Sequence, residues 1–219
     1  MKINNLFVVI LLFALFSCMT NNQANKDVEV PSDWAEYKLN NSSFSIKVPP
    51  TIELRTNNDS YSQELKGIAP QLVERNNRIA FQQKGLAFKD PDALKRFARF
   101  LILYYTEYNG SFPKSNERTD LLLSKQDIDD IIDGELVGLG KDARAYNISY
   151  GNEVINGNQA FIIHYTRTGA HGASPVKCKI CFLFNNKHFV KMIYSYREAE
   201  ADIWANDFEK SLQTFRWLN

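Results

Sequence analysis

The chain has 219 residues and balances 26 Lys and Arg against 25 Asp and Glu, for a formal charge of +1. Its 15 Phe, 10 Tyr and 3 Trp argue for a packed core and against intrinsic disorder. The near-zero charge argues against a nucleic-acid partner, and 3 cysteines are too few for a disulfide scaffold.

The N-terminus reads as an address. Lys2 supplies a positive start, and residues 6–16 form an unbroken apolar run of eleven. That suits a secretory segment and is too short to span a bilayer, which takes about 20 residues. Leu15-Phe16-Ser17-Cys18 follows and resembles a bacterial lipobox. The resemblance implies cleavage before Cys18, lipidation of Cys18 and attachment to a membrane. Loss of residues 1–17 removes only Lys2 from the charge count, so the mature chain has 25 basic and 25 acidic residues. Residues 18–33 read as a flexible tether from the lipid, rich in Asn and without aromatics. Met19 is not the Asp that retains enteric lipoproteins in the inner membrane, and the acidic content after Cys18 is low. By that analogy the expected location is the outer membrane, facing the periplasm.

Residues 34–219 read as one domain, without linker or repeat. Trp34-Ala-Glu-Tyr-Lys-Leu39 and Phe44-Ser-Ile-Lys-Val48 alternate at period two around a polar turn and predict a hairpin closed by Pro49-Pro50. Further strands are expected at 52–55 and 78–83, with 56–77 unassigned. Asp90 as N-cap and Pro91 at the first helical position then predict a helix. Leu94, Phe97, Ala98, Leu101, Tyr104, Tyr105 and Tyr108 fall at helical spacing along it. A second helix opens at Ser124-Lys-Gln-Asp127, close to a capping box. From residue 143 the pattern reads as strands. Asn156-Gly157 predicts a type I′ hairpin turn, and a second hairpin joins 176–184 to 188–196. The last helix is expected at about 198–215, with Trp204, Phe208, Leu212 and Phe215 on one stripe.

Successive hairpins imply a largely antiparallel sheet, and strands apolar on both faces imply helices over both. The expected fold is α+β, an α/β/α sandwich. A cystatin-like sheet with helices on one face is the alternative. This layout resembles the PsbP-like family, which includes the photosystem II extrinsic subunit P, a Ran-binding nuclear-transport factor of yeast and small bacterial envelope lipoproteins. The resemblance rests on Phe44-Ser-Ile-Lys-Val-Pro49, on Asn156-Gly157 followed by 160–166, and on 189–196 followed by the helix carrying Trp204 to Phe215. It implies a non-catalytic domain that binds a protein partner, and it transfers no catalytic residue, metal ligand or cofactor.

Candidate chemistry is sparse. Cys178 and Cys181 stand three apart within a strand, so they face opposite sides at about 10 Å, beyond disulfide reach. They are expected to act as small core residues. His164, His171 and His188 lie in three separate elements with no metal-ligand spacing. Gly169-Ala-His-Gly-Ala-Ser174 lacks the ending of a phosphate-binding loop. The expected partner surface comprises Arg96 and Arg99, on the basic edge of the first helix, with Tyr104, Tyr105 and Tyr108, because Arg and Tyr are favoured anchors. The function expected is therefore a lipid-anchored envelope protein that binds a protein. An immunity or chaperone-like protein binding a secreted effector is the alternative, and a thiol- or metal-dependent enzyme is a third reading.

Overall fold

The computed structural model describes residues 28–39, 43–55, 78–86, 96–105, 123–137, 139–169, 173–185 and 188–218. Cys18, residues 56–77, Asp90, Pro91, Tyr108 and His171 lie outside the described residues.

Ten strands and two α-helices are described. Strands β1 (Ala35–Leu39), β2 (Phe44–Val48) and β10 (Arg216–Trp217) form a small sheet in the order β1-β2-β10. Strands β3 (Ile52–Arg55), β4 (Arg78–Gln83), β5 (Ala98–Tyr105), β6 (Ala145–Ile155), β7 (Asn158–Arg167), β8 (Val176–Asn185) and β9 (His188–Arg197) form a seven-stranded sheet. Its order is β3-β4-β5-β9-β8-β7-β6, with every pairing antiparallel. Helix α1 is Lys125–Leu136 and helix α2 is Ala201–Gln213, entered through a 3₁₀ turn at Glu198–Glu200.

The large sheet is buried on both faces through its central strands, and strand alternation divides their side chains. Phe100, Ile102, Ile162, Cys181, Leu183, Met192 and Tyr194 share a first core with β1, β2 and the α2 residues Trp204, Phe208 and Leu212. Leu103, Phe161, Ile163, Tyr165, Cys178, Ile180, Phe182 and Ile193 share a second core with Ile128 and Ile132 of α1. The two helices thus cover opposite faces, as in a sandwich. The one-face alternative is set aside, because α1 and α2 belong to different cores.

Local chemistry sets the helix starts and turns. Ser124 caps α1 with a complete capping box: Asp127 N–H donates to Ser124 Oγ at 3.2 Å, and Ser124 N–H donates to Asp127 Oδ2 at 2.8 Å. The Glu135 carboxylate of α1 accepts from Lys191 Nζ of β9, tying that helix to the second face. Asn156 (φ 45°) and Gly157 (φ 78°) are both left-handed, as a type I′ turn requires.

The sequence expectation fails in two places. The segment read as the first helix is strand β5 from Ala98 to Tyr105, between β4 and β9. Ala-Arg-Phe-Leu-Ile-Leu-Tyr-Tyr is apolar at almost every position, so it satisfies a helical period as readily as a strand. Phe100 and Ile102 fill one core while Leu103 fills the other, so both faces of this strand are wanted inside. The C-terminus differs as well: α2 stops at Gln213, and Arg216 and Trp217 add to β2 opposite Ser45 and Phe44.

Candidate docking surface

Strand β6 is one of the two outer strands of the large sheet among the described residues, four-residue β3 being the other. It is eleven residues long, pairs with β7 along its length and carries one register shift between Tyr146 and Ser149. Asn147, inside that irregularity, has φ 53°. An extra residue there bends the strand and ends straight pairing. At the other end the type I′ turn fixes the register. Ile155 and Asn158 flank the turn and exchange the narrow pair of hydrogen bonds. By alternation Glu153 and Gly151 also bond to β7, while Tyr150, Asn152 and Val154 direct their N–H and C=O groups outward.

Two of these outward-directed residues, Tyr150 and Val154, are also apolar at the surface, as is Ile148. Ile148 is 40% exposed, Tyr150 49% and Val154 44%, with Tyr146 exposed beside the bulge. Tyr150 and Val154 stand on the second face, where the Tyr150 ring lies 6.3 Å from that of Phe161. Scattered exposed apolar residues are ordinary, but a run of them on an outer strand is not. Edge strands are commonly guarded by lysine or proline, and β6 has neither. The sequence signal was present as alternating Ile148, Tyr150 and Val154, but only the strand order reveals that nothing described lies beyond them.

On the first face, next to the bulge, a cleft of about 330 Å³ is lined by Asn147, His164, Thr166, Lys177, Tyr196 and Glu209, among others. Its lysines are already paired: Lys179 Nζ donates to Glu209 at 2.7 Å, and Lys177 Nζ lies 2.8 Å from Glu198. His164 Nε2 lies 3.8 Å from the Glu153 carboxylate. Burial and the neighbouring Lys179 charge hold His164 below its usual pKa, against the pull of Glu153. Burial pushes the Glu209 carboxyl up, but the hydrogen bond and charge of Lys179 overcome that and leave it lowered. The cleft therefore presents compensated charge.

The residues expected to carry chemistry are separated. Cys178 belongs to the second core and Cys181 to the first, as their spacing requires. Both are free thiols, and burial raises the pKa of each, which keeps them protonated and unreactive. His188 Nδ1 shares a 2.8 Å hydrogen bond with the Tyr104 hydroxyl, far along the sheet from His164. Among the described residues no group of three or more His, Cys, Asp or Glu gathers as metal ligands. In the glycine loop, a side chain at Gly169 would press within 2.1 Å of the Ala173 carbonyl oxygen, so close backbone approach accounts for that glycine.

The expected partner surface is divided by the strand. Tyr104 is only 3% exposed and packs in the first core against Phe44. Arg99 stands on the other face, its guanidinium 5.6 Å from the centre of the Phe97 ring. Arg96 is exposed just before β5, and the backbone of Tyr105 pairs with Phe189.

The architecture defines an antiparallel α+β sandwich with one helix on each face of the main sheet. No protein-family model and no curated sequence matches the chain. Among solved structures it is similar to the cyanobacterial PsbP of Synechocystis, with a TM-score of 0.54 and 10% identity, over 88% of this chain and 96% of that one. The chain thus has the PsbP-like fold. Weaker likenesses are to the Ran-binding protein Mog1p of Saccharomyces cerevisiae and to LpqN of Mycobacterium tuberculosis, which is involved in cell envelope biogenesis. The first has a TM-score of 0.44 and 10% identity over 85% of this chain and 96% of that one. The second has a TM-score of 0.34 and 9% identity over 86% and 80%. At those scores neither likeness carries an argument about this chain.

Proposed function

We propose that this protein is a lipid-anchored component of a bacterial envelope that acts as a non-catalytic protein-docking module. The anchor is Cys18, and the expected position is the outer membrane, facing the periplasm. The observation that carries the docking reading is β6, an outer strand with outward-directed backbone groups and exposed Ile148, Tyr150 and Val154. The thiols that an enzymatic reading would use are buried in two different cores, which favours a structural role for both. No described helix is long and apolar enough to cross a membrane.

Two measurements test the reading. Metabolic labelling with a fatty-acid probe should mark the protein, and Cys18→Ser should abolish the label and release the chain from the membrane fraction. A photocrosslinking side chain at Tyr150 should give protein adducts in intact cells, while one at exposed Asp202 of α2 should not. Equal yields at both positions would remove the assignment of β6.

A further inference from the structure

The outward edge of β6 is complementary to itself. We propose that two copies of this chain pair β6 to β6 in antiparallel fashion about a two-fold axis at Asn152, joining their main sheets. This inference rests on the docking reading and names the partner as a second copy.

Three observations converge on that register. The first is length. The straight part of β6 runs from Ser149, just past the register shift, to Ile155, at the edge of the turn, and its midpoint is Asn152. Pairing about this midpoint uses the whole segment in both copies. The second is backbone direction. Asn152 points its N–H and C=O away from β7, so it can exchange both hydrogen bonds with Asn152 of the other copy. A register centred on Glu153 would set two carboxylates face to face in a wide pair, and one centred on Gly151 would set Tyr150 against Asn152 in place of Val154.

The third is side-chain chemistry. About Asn152, Tyr150 of one copy faces Val154 of the other, twice over. Aromatic and β-branched residues make favourable cross-strand pairs, and both are half-exposed in the single copy. Glu153 is the one charged residue between Ser149 and Ile155. It falls opposite Gly151, where no side chain competes for space and no second carboxylate repels it. The chain's formal charge of +1 adds little repulsion between copies. An isologous contact of this kind closes at two and leaves no edge for further growth at β6.

The test is cross-linking of full-length protein in detergent micelles. In the proposed register the Cα atoms of the two Asn152 residues are about 5.5 Å apart. Asn152→Cys should therefore give a covalent dimer with a short bis-maleimide, above the level of the parent chain with its own Cys18. A mixture of Gly151→Cys and Glu153→Cys chains should cross-link more than either alone. Val154→Lys should reduce dimer by tenfold or more in sedimentation, with an unchanged thermal midpoint showing that the fold survives. A monomer at all accessible concentrations with no cross-link at Asn152 overturns the inference. If the Tyr150 photocrosslinker then captures a different protein in cells, self-pairing fails while docking at β6 stands. If it captures nothing, both fail together.

Discussion

The backbone N–H of Lys47 donates to Thr214 Oγ1 at 2.8 Å, across 167 residues of sequence. One turn earlier in α2, Ser211 Oγ donates to the Lys47 carbonyl at 2.7 Å, and Thr214 Oγ1 donates onward to the Ser211 carbonyl at 2.6 Å. The end of α2 thus satisfies both backbone groups of one β2 residue, and it does so from positions that are buried. This clamp fixes the small sheet to the helix and sets up the final pairing of Arg216 and Trp217 with β2. Thr214→Val keeps the shape and removes the acceptor. It should cost about 1–3 kcal/mol, the penalty for an unsatisfied buried donor. Urea denaturation should show a lower midpoint with an unchanged slope.

Asn156 links the central hairpin to the same region. Its side-chain amide donates to the Phe215 carbonyl at 3.0 Å, and its own N–H donates to Gln213 Oε1 at 3.4 Å. Its φ of 45° lies where asparagine and glycine are comfortable and alanine is strained. Asn156→Ala loses both the bond and the conformation and should cost about 2–3 kcal/mol. Asn156→Gly loses only the bond and should cost roughly 1 kcal/mol less. Equal losses for the two variants in thermal or urea unfolding would show that backbone conformation plays no part.

Cys178 and Cys181 should resist alkylation while the protein is folded. Both are buried, and burial holds both thiols protonated. Peptide mapping after iodoacetamide treatment should find neither residue labelled in buffer and both labelled in 6 M guanidinium. Rapid labelling of Cys181 in the native state would mean that the first core opens easily.

Stability should fall on mild acidification through His164. Its folded pKa is lowered from 6.5, first by burial and then by the charge of Lys179, and Glu153 opposes both. Below pH 6.5 the unfolded chain therefore takes up this proton more readily than the folded one. The loss begins near 6.5, grows as pH falls toward the folded value and then levels off. Glu209 acts at lower pH: its folded pKa is below 4.5, so its contribution is present above 4.5 and lost beneath it. His164→Gln should flatten the pH profile of the unfolding midpoint between 7 and 5 while leaving the fall below 4.5. The effect is small, because the imidazole is half-exposed.

Elements with a single consistent local code were legible from sequence. Ser124 and Asp127 announce the start of α1, and Asn156-Gly157 announces its turn, because capping and positive-φ chemistry act within four residues. The opposite facing of Cys178 and Cys181 follows from strand geometry alone. Strand β5 was not legible in this way, since a segment apolar at nearly every position carries no period to read. Its assignment depends on β4 and β9 holding it from both sides. The partner surface drawn from Arg96, Arg99, Tyr104, Tyr105 and Tyr108 inherited that ambiguity, and Tyr104 lies in the core instead.

The sequence by itself determined the antiparallel α+β class, while the covering of both sheet faces was decided against its one-face alternative only by α1 and α2 falling in different cores. That class follows from hairpin turns and from the periods of the strands and helices, which are local facts. The sequence also carries the expectation of an anchor at Cys18, read from a short N-terminal pattern. Only the tertiary structure decided the strand order, and with it which strands, β3 and β6, are outermost among those described. β6 and β7 form an unremarkable hairpin in sequence. Placing β8 on the far side of β7 leaves the other edge of β6 without a described neighbour, because hydrogen-bond partners along a sheet are chosen by the whole fold rather than by neighbours in the chain.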